Sequence, residues 1–142
     1  MPNVPGGIKI VIADDHTVMR HGLRMLLEAE NGFHVVSEVG NIQAVYRDVR
    51  THRPDVLVLD LNMPGGSGVE AIGRLTRFSP GTAVVVLTME DDPLFMRAAY
   101  DAGASGYVLK VAASTDLVGA IRAAAGRAAS RLSGGLTPPR SR

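Results

Sequence analysis

The sequence contains no cysteine and no tryptophan, and 3 tyrosines and 3 phenylalanines are its only aromatic side chains. Without cysteine the chain can have no disulfide scaffold, no thiolate zinc site and no cysteine nucleophile. No stretch approaches the roughly 18 consecutive apolar residues that a membrane-spanning helix needs. Met1–Gly7 lacks the charged and apolar regions of a signal peptide. We therefore expect a cytoplasmic protein without a membrane association.

The charge balance excludes any general attraction to a polyanion. The chain of 142 residues has 15 basic and 14 acidic side chains, a net charge of +1. Such a balance gives no overall pull toward nucleic acid or an anionic membrane. Apolar residues make up 46% of the chain, which is enough for a packed core in one domain.

Short apolar runs alternate with longer amphipathic segments along the chain. The predicted strands are Ile8–Ala13, Phe33–Val39, Asp55–Asp60, Thr82–Thr88 and Gly106–Leu109. The predicted helices are Thr17–Glu30, a helix capped by Asn41 that runs to about Thr51, Val69–Phe78, a helix capped by Asp92 that ends at Gly103, and a helix capped by Ser114 that runs to about Arg127. Five strand–helix repeats with almost wholly apolar strands predict an α/β fold, a parallel sheet covered on both faces.

The predicted organisation is one domain between two short flanks. We expect residues 1–7 to be a disordered N-terminus and residues 8–127 to form the domain. Residues 128–142 contain Ser-Gly-Gly and Pro-Pro and predict a flexible tail or the start of a linker.

Polar side chains collect where the predicted strands end. The first strand is followed by Asp14 and Asp15, the third ends at Asp60, the fourth ends at Thr88, and the fifth is followed by Lys110. Ligands bind at the carboxyl ends of the strands in open parallel sheets, so we expect these side chains to lie together.

These residue types suit phosphoryl transfer. Three neighbouring carboxylates repel one another unless a cation lies among them, and ligation by oxygen with several waters suits Mg²⁺. A lysine ammonium and a threonine hydroxyl can both donate to phosphate oxygens. Lys9 and Lys110 are the only lysines in a chain that otherwise uses arginine. The pattern predicts a magnesium site beside a carboxylate nucleophile.

Each of these residues also has an ordinary structural interpretation. Asp14 or Asp15 could cap the first helix, and Asp60 could cap a turn. Thr88 could be a plain strand residue, and Lys110 could be solvated. The four histidines, His16, His21, His34 and His52, have no zinc-site spacing, although His16 could reach the second shell of a metal. The coincidence of five residues at one sheet edge favours the functional interpretation.

The same residues resemble the signature of bacterial response-regulator receiver domains. The matching motifs are Asp14-Asp15, Asp60, Met63-Pro64, Gly68, Thr88 and Lys110. The resemblance covers about residues 8–127. Short sequence segments such as Ala-Asp-Asp-His and Gly-Tyr-Val-Leu-Lys are most similar to those of the NarL/FixJ (LuxR-type) subfamily. It implies a flavodoxin-like (βα)₅ fold, doubly wound, with strand order 2-1-3-4-5.

The resemblance also implies a role for each residue. Asp60 would accept the phosphoryl group from a sensor histidine kinase. Asp15 would be the main Mg²⁺ ligand, Asp14 would assist through water, and the backbone carbonyl of Asn62 would complete the protein's ligands, with Asp60. Lys110 would pair with Asp60 and then with the phosphoryl group. Thr88 and Tyr107 would act as the switch, moving when the phosphoryl group binds.

Three positions are expected to tune the lifetime of the phosphoryl group. Asn62 and Glu90 are a polar pair that can orient an attacking water, whereas Met89 is bulkier than the small residue usual there and can hinder access. These effects oppose, and the sequence does not decide between them. Val111 stands where many relatives have proline, which leaves open whether the Lys110–Val111 bond is cis or trans.

The expected output is a changed surface of the fourth helix, fifth strand and fifth helix, with a phosphorylation-dependent homodimer as one outcome. Receivers of this subfamily precede a DNA-binding domain that controls transcription, and Leu136-Thr137-Pro138 resembles the opening of one. This chain alone would not bind DNA by that route. It would be part of a longer regulator or, alternatively, a stand-alone receiver acting through protein–protein interaction.

Two other functional classes are less well supported. A phosphohydrolase with an aspartate nucleophile would need a second carboxylate two residues later, where Asn62 stands. A flavin-binding or purely interacting relative would not need an acidic cluster with a lysine. We expect a protein that catalyses only its own phosphorylation and dephosphorylation, and is otherwise not an enzyme.

Overall fold

The computed structural model describes the backbone of residues 7–132 and the side chains of residues 7–129. Strands and helices alternate along it. The strands are β1 (Ile8–Ala13), β2 (Phe33–Val39), β3 (Val56–Asp60), β4 (Ala83–Thr88) and β5 (Gly106–Leu109). The helices are α1 (Thr17–Glu28), α2 (Ile42–His52), α3 (Gly68–Phe78), α4 (Pro93–Ala102) and α5 (Ala113–Leu132), with a 3₁₀ turn over Lys110–Ala112 before α5.

The five strands form one parallel sheet in the order β2-β1-β3-β4-β5, as predicted. The register pairs Ile10 with Val56 between β1 and β3, and Asp60 with Leu87 between β3 and β4. Because all strands run the same way, their carboxyl ends share one edge of the sheet. The fold is therefore the doubly wound, flavodoxin-like arrangement.

Successive side chains of a strand point to opposite faces of the sheet, and helices cover both faces, so the central strands β1, β3 and β4 are buried almost throughout. One set of alternate residues, such as Val11, Leu57 and Val86, packs against α2, α3 and α4. The other set, such as Ile12 and Val58, packs against α1 and α5. This double coverage explains why the strands contain almost continuous apolar runs rather than alternating ones.

Side-chain caps fix several helix starts at the predicted residues. Asn41 accepts a hydrogen bond from the backbone N–H of Ala44 at 2.8 Å, and Asp92 accepts one from Leu94 at 2.9 Å. These caps satisfy N–H groups that have no partner within the helix. Gly103 closes α4 with φ of 121°, a conformation that favours glycine.

The predicted boundaries of α5 were wrong at both ends. Ser114 does not cap it, because the 3₁₀ turn leads directly into a helix that already begins at Ala113. The helix also runs beyond Arg127 to Leu132. Ala124 and Ala128 are buried against the sheet, and alanine has the highest helix propensity, so the helix gains both packing and propensity there.

Three further predictions concern the ends of the chain, the Lys110–Val111 peptide bond and the membrane. Residues 1–6 of the predicted disordered N-terminus and residues 133–142 of the predicted tail lie outside the described residues, whereas residues 128–132 are helical. The Lys110–Val111 peptide bond is trans. None of the helices in the described part of the chain has the length and apolar character to span a bilayer.

Candidate functional site

Four of the predicted site residues lie at the carboxyl edge of the sheet. Asp14 directly follows β1, Asp60 is the last residue of β3, Thr88 is the last residue of β4, and Lys110 directly follows β5. Asp14, Asp60 and Thr88 are almost completely buried. Buried polar groups of this kind need specific partners, and their partners define the site.

Asp14 is held by both its side chain and its backbone. One carboxylate oxygen, Oδ1, accepts a hydrogen bond from the backbone N–H of His16 at 2.8 Å. The backbone carbonyl of Asp14 accepts a hydrogen bond from Nη1 of Arg20 at 2.6 Å. Neither Asp14 nor Asp15 caps α1, since His16 occupies its N-cap position. The helix-capping interpretation of the two aspartates was therefore wrong.

The two carboxylate oxygens of Asp60 have different partners, a backbone N–H in a turn and the ammonium of Lys110. Oδ1 accepts a hydrogen bond from the backbone N–H of Asn62 at 2.9 Å, as the turn interpretation expected. Oδ2 accepts a hydrogen bond from Nζ of Lys110 at 3.0 Å. These two contacts fix the carboxylate plane, so that Asp60 is both a turn residue and part of the charged cluster.

Lys110 bridges two buried carboxylates. Its Nζ lies 3.0 Å from Asp60 and 2.9 Å from Oδ2 of Asp14, and the lysine side chain is only 11% exposed. Burial disfavours its charged form, but hydrogen bonds and charge interactions with Asp14 and Asp60 outweigh burial and raise the pKa of Lys110 above its ordinary 10.5. The interpretation of Lys110 as a solvated lysine was wrong.

A group of potential metal ligands lies at the same edge. One ligand atom from each of Asp14, Asp15, His16 and Asp60 lies within 4.8 Å of the others. The side chain of Asp15 is more exposed than that of Asp14, at 32% against 1%. One lysine cannot neutralise three carboxylates, so the cluster retains uncompensated negative charge that a divalent cation would relieve.

Thr88 and Tyr107 are both tied to Glu90 in the loop after β4. The hydroxyl oxygen of Thr88 accepts a hydrogen bond from the backbone N–H of Glu90 at 3.1 Å. The hydroxyl of Tyr107 donates to the backbone carbonyl of Glu90 at 2.7 Å. Burial, together with the nearby charge of Glu90, raises the pKa of Tyr107 above its ordinary value. The predicted switch residues are thus linked through one loop.

The predicted tuning residues line the loops around this edge. Met89 follows Thr88 and is 75% exposed, and Glu90 is also exposed. Asn62 is exposed, and its backbone N–H is committed to Asp60. All three therefore lie within two residues of a buried site residue, Asp60 or Thr88, while remaining accessible to solvent.

Sequence reasoning missed the support beneath the acidic loop. Arg20 holds the Asp14 carbonyl, and its Nε lies 3.5 Å from a carboxylate oxygen of Glu38 on β2. Arg24 donates a hydrogen bond to the same carboxylate at 2.9 Å. This hydrogen bond lowers the pKa of Glu38, and its effect is larger than the opposing effect of burial. No sequence motif indicates this network, because its members come from separate elements.

Residues 10–122 match the family model described as the response regulator receiver domain. The chain belongs to this family. The receiver resembles the oxygen regulatory protein NreC of Staphylococcus epidermidis, with 41% identity over 116 residues that cover 81% of this chain and 53% of NreC. NreC of Staphylococcus carnosus is 40% identical over 81% of this chain and 54% of its own length. The receiver thus spans about half the length of these relatives.

Solved structures agree with this placement. The signal receiver domain of NarL from Mycobacterium tuberculosis superposes with a TM-score of 0.81 at 30% identity, covering 86% of this chain and 98% of that domain. The isolated receiver domain of RcsB from Salmonella enterica serovar Typhimurium, determined in the presence of the phosphomimetic BeF₃⁻, superposes with a TM-score of 0.76 at 33% identity, covering 90% of each chain. The receiver is therefore of the NarL type in sequence and structure.

Proposed function

We propose that this receiver accepts a phosphoryl group on Asp60 from a phosphohistidine of a sensor kinase, in a reaction that requires Mg²⁺. One observation carries the proposal. Asp60 is a buried carboxylate with one oxygen held by a backbone N–H and the other facing a lysine ammonium, at an edge that holds further acidic groups. A carboxylate fixed in this way is oriented for attack and cannot rotate freely.

The residues at this edge fit a hard divalent cation. Asp14, Asp15 and Asp60 supply carboxylate oxygens, and Lys110 is the one ammonium that pairs with them among the described residues, at 2.9 Å from Asp14 and 3.0 Å from Asp60. Mg²⁺ prefers oxygen ligands and keeps several waters, as an edge open to solvent on the Asp15 side allows. We assign Asp15, Asp14, Asp60 and the carbonyl of Asn62 as its protein ligands. When bound, the ion would neutralise charge on the transferring phosphoryl group.

The proposed transfer is a simple exchange of bonds at phosphorus. An oxygen of Asp60 attacks the phosphorus of the kinase phosphohistidine. The phosphorus–nitrogen bond breaks, its electron pair stays on the imidazole, and an acyl phosphate forms. Lys110 stays charged at neutral pH, because its pKa is raised, and its ammonium donates to a phosphoryl oxygen. In a second proposed reaction, water attacks the acyl phosphate, the phosphorus–oxygen bond to Asp60 breaks, and inorganic phosphate and the free carboxylate result.

The proposed switch runs through Thr88 and Tyr107. The buried Thr88 hydroxyl oxygen accepts a bond from the N–H of Glu90, and a phosphoryl oxygen on Asp60 would offer its O–H an anionic acceptor. Movement of Thr88 would disturb the loop whose Glu90 carbonyl holds Tyr107. The surface of α4, β5 and α5 would change in response.

The proposed output is control of transcription through a DNA-binding domain. Two RcsB dimers have been determined bound to two parallel DNAs, and that relative is 33% identical to this receiver. This chain covers 61% of that RcsB chain, and we propose that a domain outside the matched region binds DNA. A phosphorylation-dependent homodimer of this receiver would couple the switch to DNA. A second candidate is a stand-alone receiver that acts through protein–protein interaction.

Beryllofluoride binding tests the site without a kinase. Beryllofluoride mimics a phosphoryl group on a carboxylate. In two-dimensional NMR spectra of the ¹⁵N-labelled chain we expect Mg²⁺-dependent shifts at Thr88, Glu90 and Tyr107. The Asp60→Asn variant, isosteric but without the nucleophile, should show none. Shifts that persist in that variant, or that need no Mg²⁺, would reject the proposed site.

A further inference from the structure

His16 occupies the N-cap position of α1 without capping the helix. The N-cap residue normally accepts a hydrogen bond from a backbone N–H of the first turn, a task for Ser, Thr, Asp or Asn. His16 has extended backbone angles suited to the position, but its side chain makes no such bond. The imidazole is 70% exposed and is available for another role.

The imidazole is turned toward the acidic residues instead. Its Nδ1 lies 3.3 Å from Oδ1 of Asp14 and 3.2 Å from Oδ1 of Asp15. The backbone N–H of His16 donates to the same Asp14 oxygen at 2.8 Å, which holds the ring close to the carboxylates. A ring nitrogen of His16 is one of the four ligand atoms that lie within 4.8 Å of one another.

A second observation is the charge balance at this place. Nζ of Lys110 lies 2.9 Å from the buried Oδ2 of Asp14 and 3.0 Å from Oδ2 of Asp60, so one ammonium serves two carboxylates. The potential metal ligands at this edge are three carboxylates and one imidazole, and among the described residues Lys110 forms ion pairs with only two of the carboxylates. An imidazole nitrogen suits Co²⁺, Ni²⁺ and Zn²⁺, whereas carboxylate oxygens alone suit Mg²⁺.

We propose that His16 supplies a ring nitrogen to the divalent cation of this site, so that the receiver binds late first-row ions such as Co²⁺ through mixed nitrogen and oxygen ligands. The inference rests on the metal site of the proposed function and extends it to ion preference. Mg²⁺ gains little from the imidazole, because it is a hard ion that prefers oxygen. We therefore expect His16 to raise the affinity for Co²⁺ much more than the affinity for Mg²⁺.

A simple ion pair would behave in the opposite way. If His16 only neutralises Asp14 and Asp15 as a cation, it competes with any metal. Its removal would then strengthen the binding of Mg²⁺ and Co²⁺ alike. A ligand and a competitor thus predict changes of opposite sign.

Titration calorimetry with the metal ions alone distinguishes these roles. In His16→Ala we expect Co²⁺ to bind more weakly by about tenfold or more, with Mg²⁺ changed by less than about threefold, in line with the loss of a ligating group. His34→Ala is the matched control, since His34 is exposed at the amino end of β2, the opposite edge of the sheet. It should leave both affinities unchanged. Tighter binding in His16→Ala, or equal changes for both ions, would overturn the proposal.

Pulsed electron paramagnetic resonance of bound Cu²⁺, a late first-row ion that favours imidazole nitrogen, gives an independent measurement. We expect a nitrogen coupling in the wild type that disappears in His16→Ala and persists in His34→Ala. Absence of that coupling in the wild type would overturn the proposal. If beryllofluoride still binds with Mg²⁺ while His16→Ala leaves Co²⁺ affinity unchanged, this inference alone fails. If no divalent ion binds the wild type, the proposed function fails with it.

Discussion

Nζ of Lys110 lies 3.0 Å from Oδ2 of Asp60, although 50 residues separate the two in the chain. The same ammonium lies 2.9 Å from Asp14. One buried cation therefore joins the ends of three strands, β1, β3 and β5. Removal of this cation would leave two buried carboxylates facing each other, a costly arrangement.

Lys110→Met tests the role of this cation in phosphoryl transfer. We expect phosphorylation of Asp60 by acetyl phosphate to slow by about 100-fold, the usual cost of removing one group that stabilises developing charge. Lys9→Met is the control, because Lys9 is exposed and its Nζ donates to the His52 carbonyl at the opposite edge. Equal rates in Lys110→Met and the wild type would show that Lys110 has only a structural role.

The lowered pKa of Glu38 predicts that this residue makes a pH-dependent contribution to the free energy of unfolding. The hydrogen bond from Arg24 lowers the pKa of Glu38 below its ordinary 4.5. A carboxyl group with a lowered pKa in the folded state stabilises the fold above its unfolded pKa, and this stability is lost as pH falls through the folded pKa.

The variant Glu38→Gln measures this contribution. By urea unfolding we expect it to be less stable than the wild type by about 1 kcal/mol at pH 7, since a charged hydrogen bond is replaced by a neutral one. The difference should shrink below pH 4.5 as Glu38 becomes protonated in the wild type. A difference of the same size at pH 7 and pH 3 would contradict the assignment.

The close approach of Leu61 to Gly68 predicts that only glycine fits without strain at the start of α3. A Cβ placed there would lie 2.8 Å from the backbone carbonyl oxygen of Leu61, in the loop that follows Asp60. We expect Gly68→Ala to lower the free energy of unfolding by about 1–3 kcal/mol, a typical cost of overpacking. Gly73→Ala, in the same helix with only the end of Arg77 near its Cβ, should instead stabilise by about 0.5–1 kcal/mol. Equal effects of the two substitutions on chemical denaturation would refute the steric argument.

The position of Met89 predicts that its side chain lengthens the lifetime of the acyl phosphate relative to a smaller residue. The side chain follows the buried Thr88 and lies at the exposed rim of the site. If it limits the approach of water, Met89→Ala should lose phosphate roughly threefold faster, because exclusion of water slows hydrolysis. Leu94→Ala is the control, since Leu94 is similarly exposed on α4. Decay of radiolabelled phosphoprotein measures both, and an unchanged rate in Met89→Ala rejects the shielding role.

The residue pattern predicted a parallel sheet and the edge at which the site lies, whereas the strand order came from the resemblance to receiver domains. The reason is physical: each strand is a short, buried apolar run, so its first polar residue marks where it leaves the core. Asp14, Asp60 and Thr88 were found in this way, and the structure buries all three. The alternation of strands with helices then requires a parallel sheet, which brings these ends together.

The resemblance implied the pair of Lys110 with Asp60, which lie 3.0 Å apart, but the sequence did not predict the second pair, between Lys110 and Asp14. Asp14 is buried and faces Lys110, whereas Asp15 is partly exposed, and no pattern distinguishes two adjacent aspartates. The support of Asp14 by Arg20 depends on a side chain that reaches across a loop. The missed start of α5 has a similar cause, because the 3₁₀ turn after Lys110 depends on local backbone geometry rather than on a capping residue.

Mass spectrometry after incubation with acetyl phosphate and Mg²⁺ tests the central claim most directly. We expect the wild-type chain to gain the mass of one phosphoryl group, and peptide mapping to place it on Asp60. The Asp60→Asn variant should gain none under the same conditions, with an unchanged circular dichroism spectrum as evidence that it is folded. A phosphoryl group on any other residue, or none on the folded wild-type chain, would contradict the account.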